Sequence, residues 1–292
     1  MEIRVLKYFL AVVQEENLSK AAEALFMTQP TLSRQIAALE EELGTTLFVR
    51  GKKLALTEDG VIFRRRAEEI VQMVEKTERE FSESAANIGG TISIGTGGLY
   101  SFGSLTEIMN EFKAEYPNVQ FEIYTNSADY VKERLDKGLL DFGLLLEPID
   151  IEKYDFLRMS DRERWGLLVN ADSDLTKKEY VTKDDLHDIP IITTNRMALQ
   201  KEFSNWLGTD FGELNIFGTY NLLINAAKLV RSGHANALTI EGAADLYNPK
   251  QMQFKPLYPE LSMTSVLAWK KFQPTGKAVN KFLEKIKSAF KA

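Results

Sequence analysis

The chain has 292 residues, a length that suits two compact domains, and its 44% hydrophobic and 27% charged residues exclude an intrinsically disordered protein. It has no cysteine and two histidines, which excludes disulfide bonds and disfavours a zinc site, and no apolar run approaches the roughly 18–20 residues of a membrane-spanning helix. The net charge of −6 argues against non-specific coating of nucleic acid. Because the first residues also lack the basic and apolar regions of a signal peptide, we expect a cytoplasmic protein. We also expect no metal and no cofactor.

Three short helices are predicted at the start of the chain. Apolar residues recur at i, i+3, i+4 and i+7 from Leu6, which is typical of one face of a helix. Ser19 is expected to cap the second helix, and Pro30 to occupy the first position of the third, which Gly44 ends. A helix, a short helix, a tight turn and a further helix make a helix-turn-helix.

The third helix has a polar face that suits DNA. Arg34 lies opposite its apolar stripe, where an arginine can bind guanine or phosphate, and Gln29 can pair with adenine. Helix-turn-helix proteins read bases with the first turn of this helix. The residues predicted to address the major groove are Gln29, Pro30, Thr31, Ser33 and Arg34. The alternative is a partner-binding three-helix domain with an ordinary polar face.

A basic turn follows the third helix. Two short apolar segments, 47–49 and 54–56, flank it and predict a β-hairpin, which beside a helix-turn-helix would be a wing. Arg50, Lys52 and Lys53 supply the positive charge of this turn. We expect these three side chains to contact the DNA backbone or the minor groove.

A long helix is predicted from Thr57, its cap, to about residue 87, before Gly89 and Gly90 break it. Its apolar residues alternate spacings of four and three, as in a coiled coil, and we expect them to pair two chains. These residues are Phe63, Ala67, Ile70, Val74, Thr77 and Phe81. The alternative is an amphipathic helix that lies on its own domain. The adjacent run of residues 64–66, all arginine, suits either flanking phosphates or solvent.

From Thr91 onward, strand-like and helix-like segments alternate, which predicts an α/β fold with mixed sheets and, at this length, two lobes. The predicted strands are 91–95, 119–124, 142–146, 165–169, 189–193, 215–218, 235–239, 252–257 and 264–269. The predicted helices are 104–116, 128–137, 197–207, 222–231 and 275–290.

Small and polar residues cluster where predicted strands end and helices begin. Such junctions place backbone N–H groups and hydroxyls where they can bind an anion, and in a two-lobed architecture they would face one cleft. The candidate effector-binding residues are Thr96, Gly97, Gly98, Ser101, Asn126, Ser127, Thr193, Thr194 and Asn195. A carboxylate is the ligand chemistry that these helix starts favour. Ordinary helix capping is the alternative for each residue.

Residues 17–50, which include Gln-Pro-Thr-Leu-Ser-Arg, resemble the N-terminal signature of LysR-type transcriptional regulators. Leu-Thr-Glu-Asp-Gly at 56–60 resembles the start of that family's linker helix. The resemblance covers the whole chain. It implies a winged helix-turn-helix at 1–57, a linker and dimerisation helix at 58–88, and an effector-binding domain similar to type 2 periplasmic binding proteins at 89–292. Lobe 1 would comprise about 91–160 and 266–292, and lobe 2 about 161–265.

The resemblance also implies a function. A LysR-type homo-oligomer, a dimer or commonly a tetramer, would bind double-stranded DNA at an inverted repeat and change transcription when a small molecule occupies the cleft, with RNA polymerase as a further partner. A solute-binding protein without DNA readout is the alternative, against which the first 88 residues count. An enzyme is disfavoured because no phosphate-binding loop, nucleophile elbow or metal-ligand cluster occurs in the sequence.

Overall fold

A computed structural model describes residues 1–49, 54–82, 88–150, 152–272 and 275–290, with 79–82 described by their helical backbone. The chain divides into two compact units, Met1–Ser82 and Glu83–Ala292. Among the described residues, no helix is both long and apolar enough to cross a bilayer.

The first unit is a helical domain with a two-stranded hairpin. Its elements are α1 (Ile3–Glu15), α2 (Leu18–Ala24), α3 (Gln29–Leu43), β1 (Phe48–Val49), β2 (Ala55–Leu56) and α4 (Glu58–Ser82). The core joins Leu6 and Phe9 of α1 to Leu32 and Ile36 of α3. The two strands pair antiparallel, as the wing prediction requires.

The helix starts of the first unit correct two predictions. Ser19 does not cap α2, because the side chain of Asn17 accepts hydrogen bonds from the backbone N–H groups of Ser19 and Lys20 at 2.9 and 3.1 Å. Helix α3 begins at Gln29, one residue before Pro30. Gly44 ends it in the left-handed conformation with φ of +70°, which confirms the predicted stop.

Helix α4 lies partly on its own domain, which corrects part of the predicted pairing surface. Ala67 is fully buried in the core of the first unit, and the ring of Phe63 packs edge-on against Phe9 with centroids 4.9 Å apart. The spacing of the apolar residues on α4 could not show whether they pack on a partner chain or on the chain's own core. In the structure, α1 covers Phe63 and Ala67. Thr57 caps α4 by accepting a hydrogen bond from the N–H of Gly60 at 2.9 Å.

The second unit contains a mixed sheet flanked by helices. Its strands are β3 (Gly89–Thr96), β4 (Asn118–Thr125), β5 (Phe142–Leu146), β6 (Tyr154–Asn170), β7 (Ile191–Thr194), β8 (Ile216–Tyr220), β9 (Asn236–Ile240), β10 (Met252–Pro256) and β11 (Ser262–Lys270). Its α-helices are α5 (Phe102–Glu115), α6 (Ala128–Asp136), α7 (Met197–Leu207), α8 (Leu223–Arg231), α9 (Glu241–Ala244) and α10 (Lys277–Ala289). Short 3₁₀ helices lie at Asp174–Lys177, Lys183–Leu186 and Phe211–Glu213.

Strand β6 divides this sheet into two lobes. The strand order is β4-β3-β5-β11-β6-β9-β7-β8, with β10 also paired to β6. The first part of β6 pairs with β11, whereas Trp165 and the residues after it pair with β9 and β10. We call the side that contains β3, β4 and β5 the first lobe and the side that contains β7, β8 and β9 the second lobe.

Candidate DNA-binding surface and effector cavity

The start of α3 presents polar side chains to solvent. Gln29, Pro30 and Arg34 are exposed, and Thr31 and Ser33 are half-buried. The Nε of Arg34 donates to the carbonyl of Pro30 at 3.3 Å, and Arg34 makes no ion pair with any described residue. Its guanidinium therefore keeps most of its donors and its full charge for an external partner.

The hairpin is bonded to α3 by a residue that the sequence analysis did not identify. The side chain of Glu40, on α3, accepts hydrogen bonds from the N–H groups of Leu47 and Phe48 at 2.7 and 3.2 Å. Glu40 stands in a run of three glutamates, so its pattern predicted only a charged face. The predicted contacts Arg50, Lys52 and Lys53 lie outside the described residues.

The arginine run of helix α4 forms ion pairs with glutamates of the same helix. Arg64 pairs with Glu68 at 2.8 Å, and Arg65 and Arg66 both pair with Glu69, at 3.9 and 3.0 Å. Each of these exposed arginines therefore has a partner at i+3 or i+4 on its own helix, which Arg34 lacks among the described residues.

The remaining candidate pairing residues are placed differently from Phe63 and Ala67. Ile70 and Thr77 are exposed and Val74 is half-buried. The side chain of Phe81 lies outside the described residues. Ile62 is also exposed, with 61% of its surface open to solvent, although the predicted spacing did not include it.

The second unit contains a cavity between its two lobes. It has a volume of about 110 Å³ and is partly open to solvent, so it suits a small ligand. The predicted effector-binding residues that line it are Gly97, Gly98, Asn126, Ser127 and Thr194. Much of the remaining wall is apolar and includes Leu99, Leu144, Leu146, Trp165, Leu199 and Ile240. The first residues of α6 and α8 also reach it.

Four of the predicted effector-binding residues do not line this cavity, and Ser101 shows why. The buried carboxylate of Glu163 accepts hydrogen bonds from the N–H groups of Tyr100 and Ser101 at 2.8 and 3.0 Å, and the Ser101 hydroxyl is 2.7 Å from that of Ser265. The predicted anion site at the start of α5 is therefore filled by the protein's own glutamate.

The other three residues point elsewhere. Thr96 is buried and donates to the carbonyl of Gly97 at 3.0 Å. Thr193 is fully buried behind Thr194, because successive side chains of a strand face opposite sides. Asn195 is exposed to solvent beyond the cavity wall.

Arg196 is the charged residue of the cavity lining that the sequence prediction missed. It precedes α7 in the second lobe, and its guanidinium donates to two carbonyls of the first lobe, that of Pro148 at 2.9 Å and that of Leu146 at 3.4 Å. Burial lowers the pKa of Arg196 from its ordinary value, while the charge of Asp129 acts in the opposite direction. The sequence did contain a signal for this residue, because Arg196 directly follows the predicted site residues Thr194 and Asn195 at the same strand-to-helix junction.

Tyr220 closes one side of the cavity as a neutral hydroxyl. Its OH donates to the carbonyl of Leu238 at 2.8 Å, and burial raises its pKa. Within the described part of the chain, no group of three or more acidic, histidine or cysteine side chains could hold a metal ion.

Two family models match almost the whole chain. The model described as "Bacterial regulatory helix-turn-helix protein, lysR family" matches residues 3–61, and the model described as "LysR substrate binding domain" matches residues 85–291. The chain belongs to the LysR family of transcriptional regulators. The predicted family and fold class are thereby confirmed.

Individual LysR-type proteins support this assignment. The regulator BsdA of Bacillus subtilis is 34% identical over 218 residues, which cover 74% of each chain. The Hca operon activator HcaR of Escherichia coli is 28% identical, with 93% of this chain and 92% of HcaR covered. The crystal structure of the LysR regulator CbnR covers all of both chains with a TM-score of 0.80 at 21% identity, and CbnR has also been solved with its target DNA.

The family assignment states what the two units do. This LysR-type protein is a DNA-binding transcriptional regulator, and its second unit is an effector-binding domain. The matched domains and relatives are regulators in a family that is not enzymatic. The cavity between the lobes is the candidate site for its ligand.

Proposed function

We propose that this LysR-type regulator binds an inverted-repeat operator as a homo-oligomer and alters transcription when a small carboxylate occupies the inter-lobe cavity. Residues 1–57 would bind DNA, 58–88 would link and dimerise, and 89–292 would bind the effector. It would act in the cytoplasm, where the DNA of a bacterial cell lies, and would contact RNA polymerase at the promoter.

The observation that carries the DNA-reading part is the free charge of Arg34. This side chain stands exposed on the first turns of α3 without an ion pair to a described residue, beside the exposed Gln29 and Pro30. An uncompensated arginine at this position of a helix-turn-helix suits a base edge or a phosphate. Thr31 and Ser33 complete the proposed major-groove surface, with Arg50, Lys52 and Lys53 proposed for the backbone or minor groove.

The oligomer would form through α4. The exposed Ile62 and Ile70, together with Val74, Thr77 and Phe81, supply apolar or small side chains along a helix whose opposite face packs on α1. A dimer of this kind would hold two α3 helices at a fixed spacing, as two half-sites of an inverted repeat require.

The effector site would be the inter-lobe cavity. Its support is the convergence of Gly97, Gly98, Asn126, Ser127 and Thr194 with the first residues of α6 and α8. Helix N-termini favour negative charge, and a ligand that contacts both lobes binds the two lobe arrangements unequally.

Selection from genomic DNA tests the proposal. Purified protein is incubated with fragmented DNA of its source genome at near-physiological salt, and the retained fragments are sequenced. We expect a few strongly enriched sites that share an inverted repeat. The absence of enrichment, also after metabolite extract is added and the salt is lowered, would contradict DNA readout.

A further inference from the structure

Arg196 is the one charged residue among the described residues that line the cavity. Its guanidinium contacts only neutral carbonyl oxygens, those of Leu146 and Pro148. No carboxylate of the described chain lies within ion-pair distance of it. Asp129, which lines an adjoining outer cleft together with Arg196, raises the pKa of the guanidinium through its charge. A part-buried cation without a carboxylate partner is costly, and an anionic ligand would remove that cost.

The hydrogen bonds of Arg196 to carbonyl oxygens are weak enough for a ligand carboxylate to replace them. The contacts from Nη1 and Nη2 to the carbonyl of Leu146 are both 3.4 Å long, near the limit of a hydrogen bond. The carbonyl of Pro148 holds the guanidinium more closely, at 2.9 Å. A carboxylate offers two parallel, charge-assisted bonds to a guanidinium, which are stronger than bonds to carbonyl oxygens.

The rest of the cavity limits what a carboxylate ligand can carry. The described lining contains no aspartate or glutamate to hold an amine, and no second cation to hold a second carboxylate. The side chain of Asn126 is already bonded to the hydroxyl of Tyr124 and to the N–H of Ser127. The remaining lining includes seven leucine side chains and Trp165. These walls favour an apolar body and disfavour zwitterions and amines.

We propose that Arg196 binds the carboxylate of the effector, and that the effector is a small monocarboxylic acid with an apolar, aromatic or branched body. This inference rests on the proposed function, because it assigns the ligand of the same cavity. The guanidinium belongs to the second lobe and contacts carbonyls of the first, so a bound carboxylate would compete with an existing contact between the lobes.

Titration of the full-length protein with matched probes tests this inference. The probes are benzoate with benzamide and isovalerate with isovaleramide, since each amide keeps the shape of its acid and lacks the charge. We expect at least one carboxylate to bind saturably and about 10-fold or more tightly than its amide. Equal binding of acid and amide, or no saturable carboxylate binding up to about 50 mM, would overturn the proposal.

The residue is tested by Arg196→Gln, with Arg231→Gln as the matched control. Arg231 is exposed at the end of α8, outside the cavity lining, and its replacement removes the same charge from the same unit. We expect Arg196→Gln to weaken carboxylate binding by about 10-fold or more, to change amide binding little, and Arg231→Gln to change neither.

A second variant keeps the test valid if Arg196→Gln does not fold. Arg196→Lys retains the charge without the planar fork, and we expect it to keep the preference for acid over amide while binding the acid several-fold more weakly. Unchanged carboxylate affinity in both variants would overturn the role of Arg196. Operator selection with the wild-type protein reports separately on DNA readout, so its failure and that of the carboxylate titration are distinguishable.

Discussion

The proposed DNA-binding surface and the proposed effector cavity each present one arginine without a carboxylate partner among the described residues, in opposite surroundings. Arg34 is exposed on α3, where water solvates its charge. Arg196 is part-buried between the lobes, where burial lowers its pKa and protein carbonyls replace water. Charge interactions in water are weak singly and sensitive to salt, whereas those in a desolvated cavity are strong and less screened. The two sites should therefore respond differently to the same perturbations.

Salt concentration should separate the two sites most strongly. Between about 50 and 200 mM NaCl, we expect operator affinity to fall by about 10³-fold if six phosphates are contacted, because each contact releases counterions. Carboxylate affinity at Arg196 should change by less than about 3-fold, since that pair is shielded from solvent. Fluorescence anisotropy and calorimetry measure the two affinities. A steep salt dependence of carboxylate binding would place the carboxylate at an exposed cation.

A substitution at Glu163 tests whether its carboxylate stabilises the fold by accepting hydrogen bonds from the backbone N–H groups at the start of α5. Glu163→Gln replaces one of the two acceptor oxygens with an amide N–H₂, so that one of the two backbone N–H donors faces another donor, and we expect a loss of about 2–4 kcal/mol in the free energy of unfolding. Urea unfolding of the full-length protein measures it. The control is Glu179→Gln, an exposed glutamate without a bonded partner in the described chain, which should change stability by less than about 0.5 kcal/mol. A similar small change for Glu163→Gln would show that its carboxylate is dispensable.

Arg34→Ala should weaken binding to the preferred operator by about 1–3 kcal/mol if the side chain reads a base. Arg64→Ala is the control, because Glu68 already neutralises that guanidinium. Binding to the operator and to a scrambled sequence is compared at one salt concentration. An equal loss on both DNAs would identify Arg34 as a phosphate contact.

Phe26, in the turn before α3, should give the smallest effect. It is 98% exposed and adopts a left-handed conformation with φ of +54°, which is costly for a residue with a bulky side chain. Asparagine tolerates this conformation, so Phe26→Asn should raise stability by about 0.5–1 kcal/mol, as measured by thermal unfolding. A stability loss would indicate that the ring packs on something outside the described chain.

Local patterns were sufficient to predict most elements of both units. Helix α7 and strand β5 begin and end where the sequence predicted, because periodicity, caps and strand-forming residues are local properties. Helix α9 was not predicted, and strand β6 was predicted only at 165–169 although the observed strand begins at Tyr154. The first half of β6 alternates charged and apolar residues and is mostly exposed, so it lacks the apolar run that identified the other strands.

The sequence by itself determined the family, the helix-turn-helix with its polar face, and the presence of an α/β domain with polar strand ends. Only the tertiary structure decided which charges meet. It placed Glu163 at the start of α5, about 60 residues away in sequence, and it covered Ala67 with α1 rather than leaving it for a partner. It also brought Arg196 to the carbonyls of the other lobe. Such contacts depend on which elements pack together, and a local pattern of residues does not contain that information.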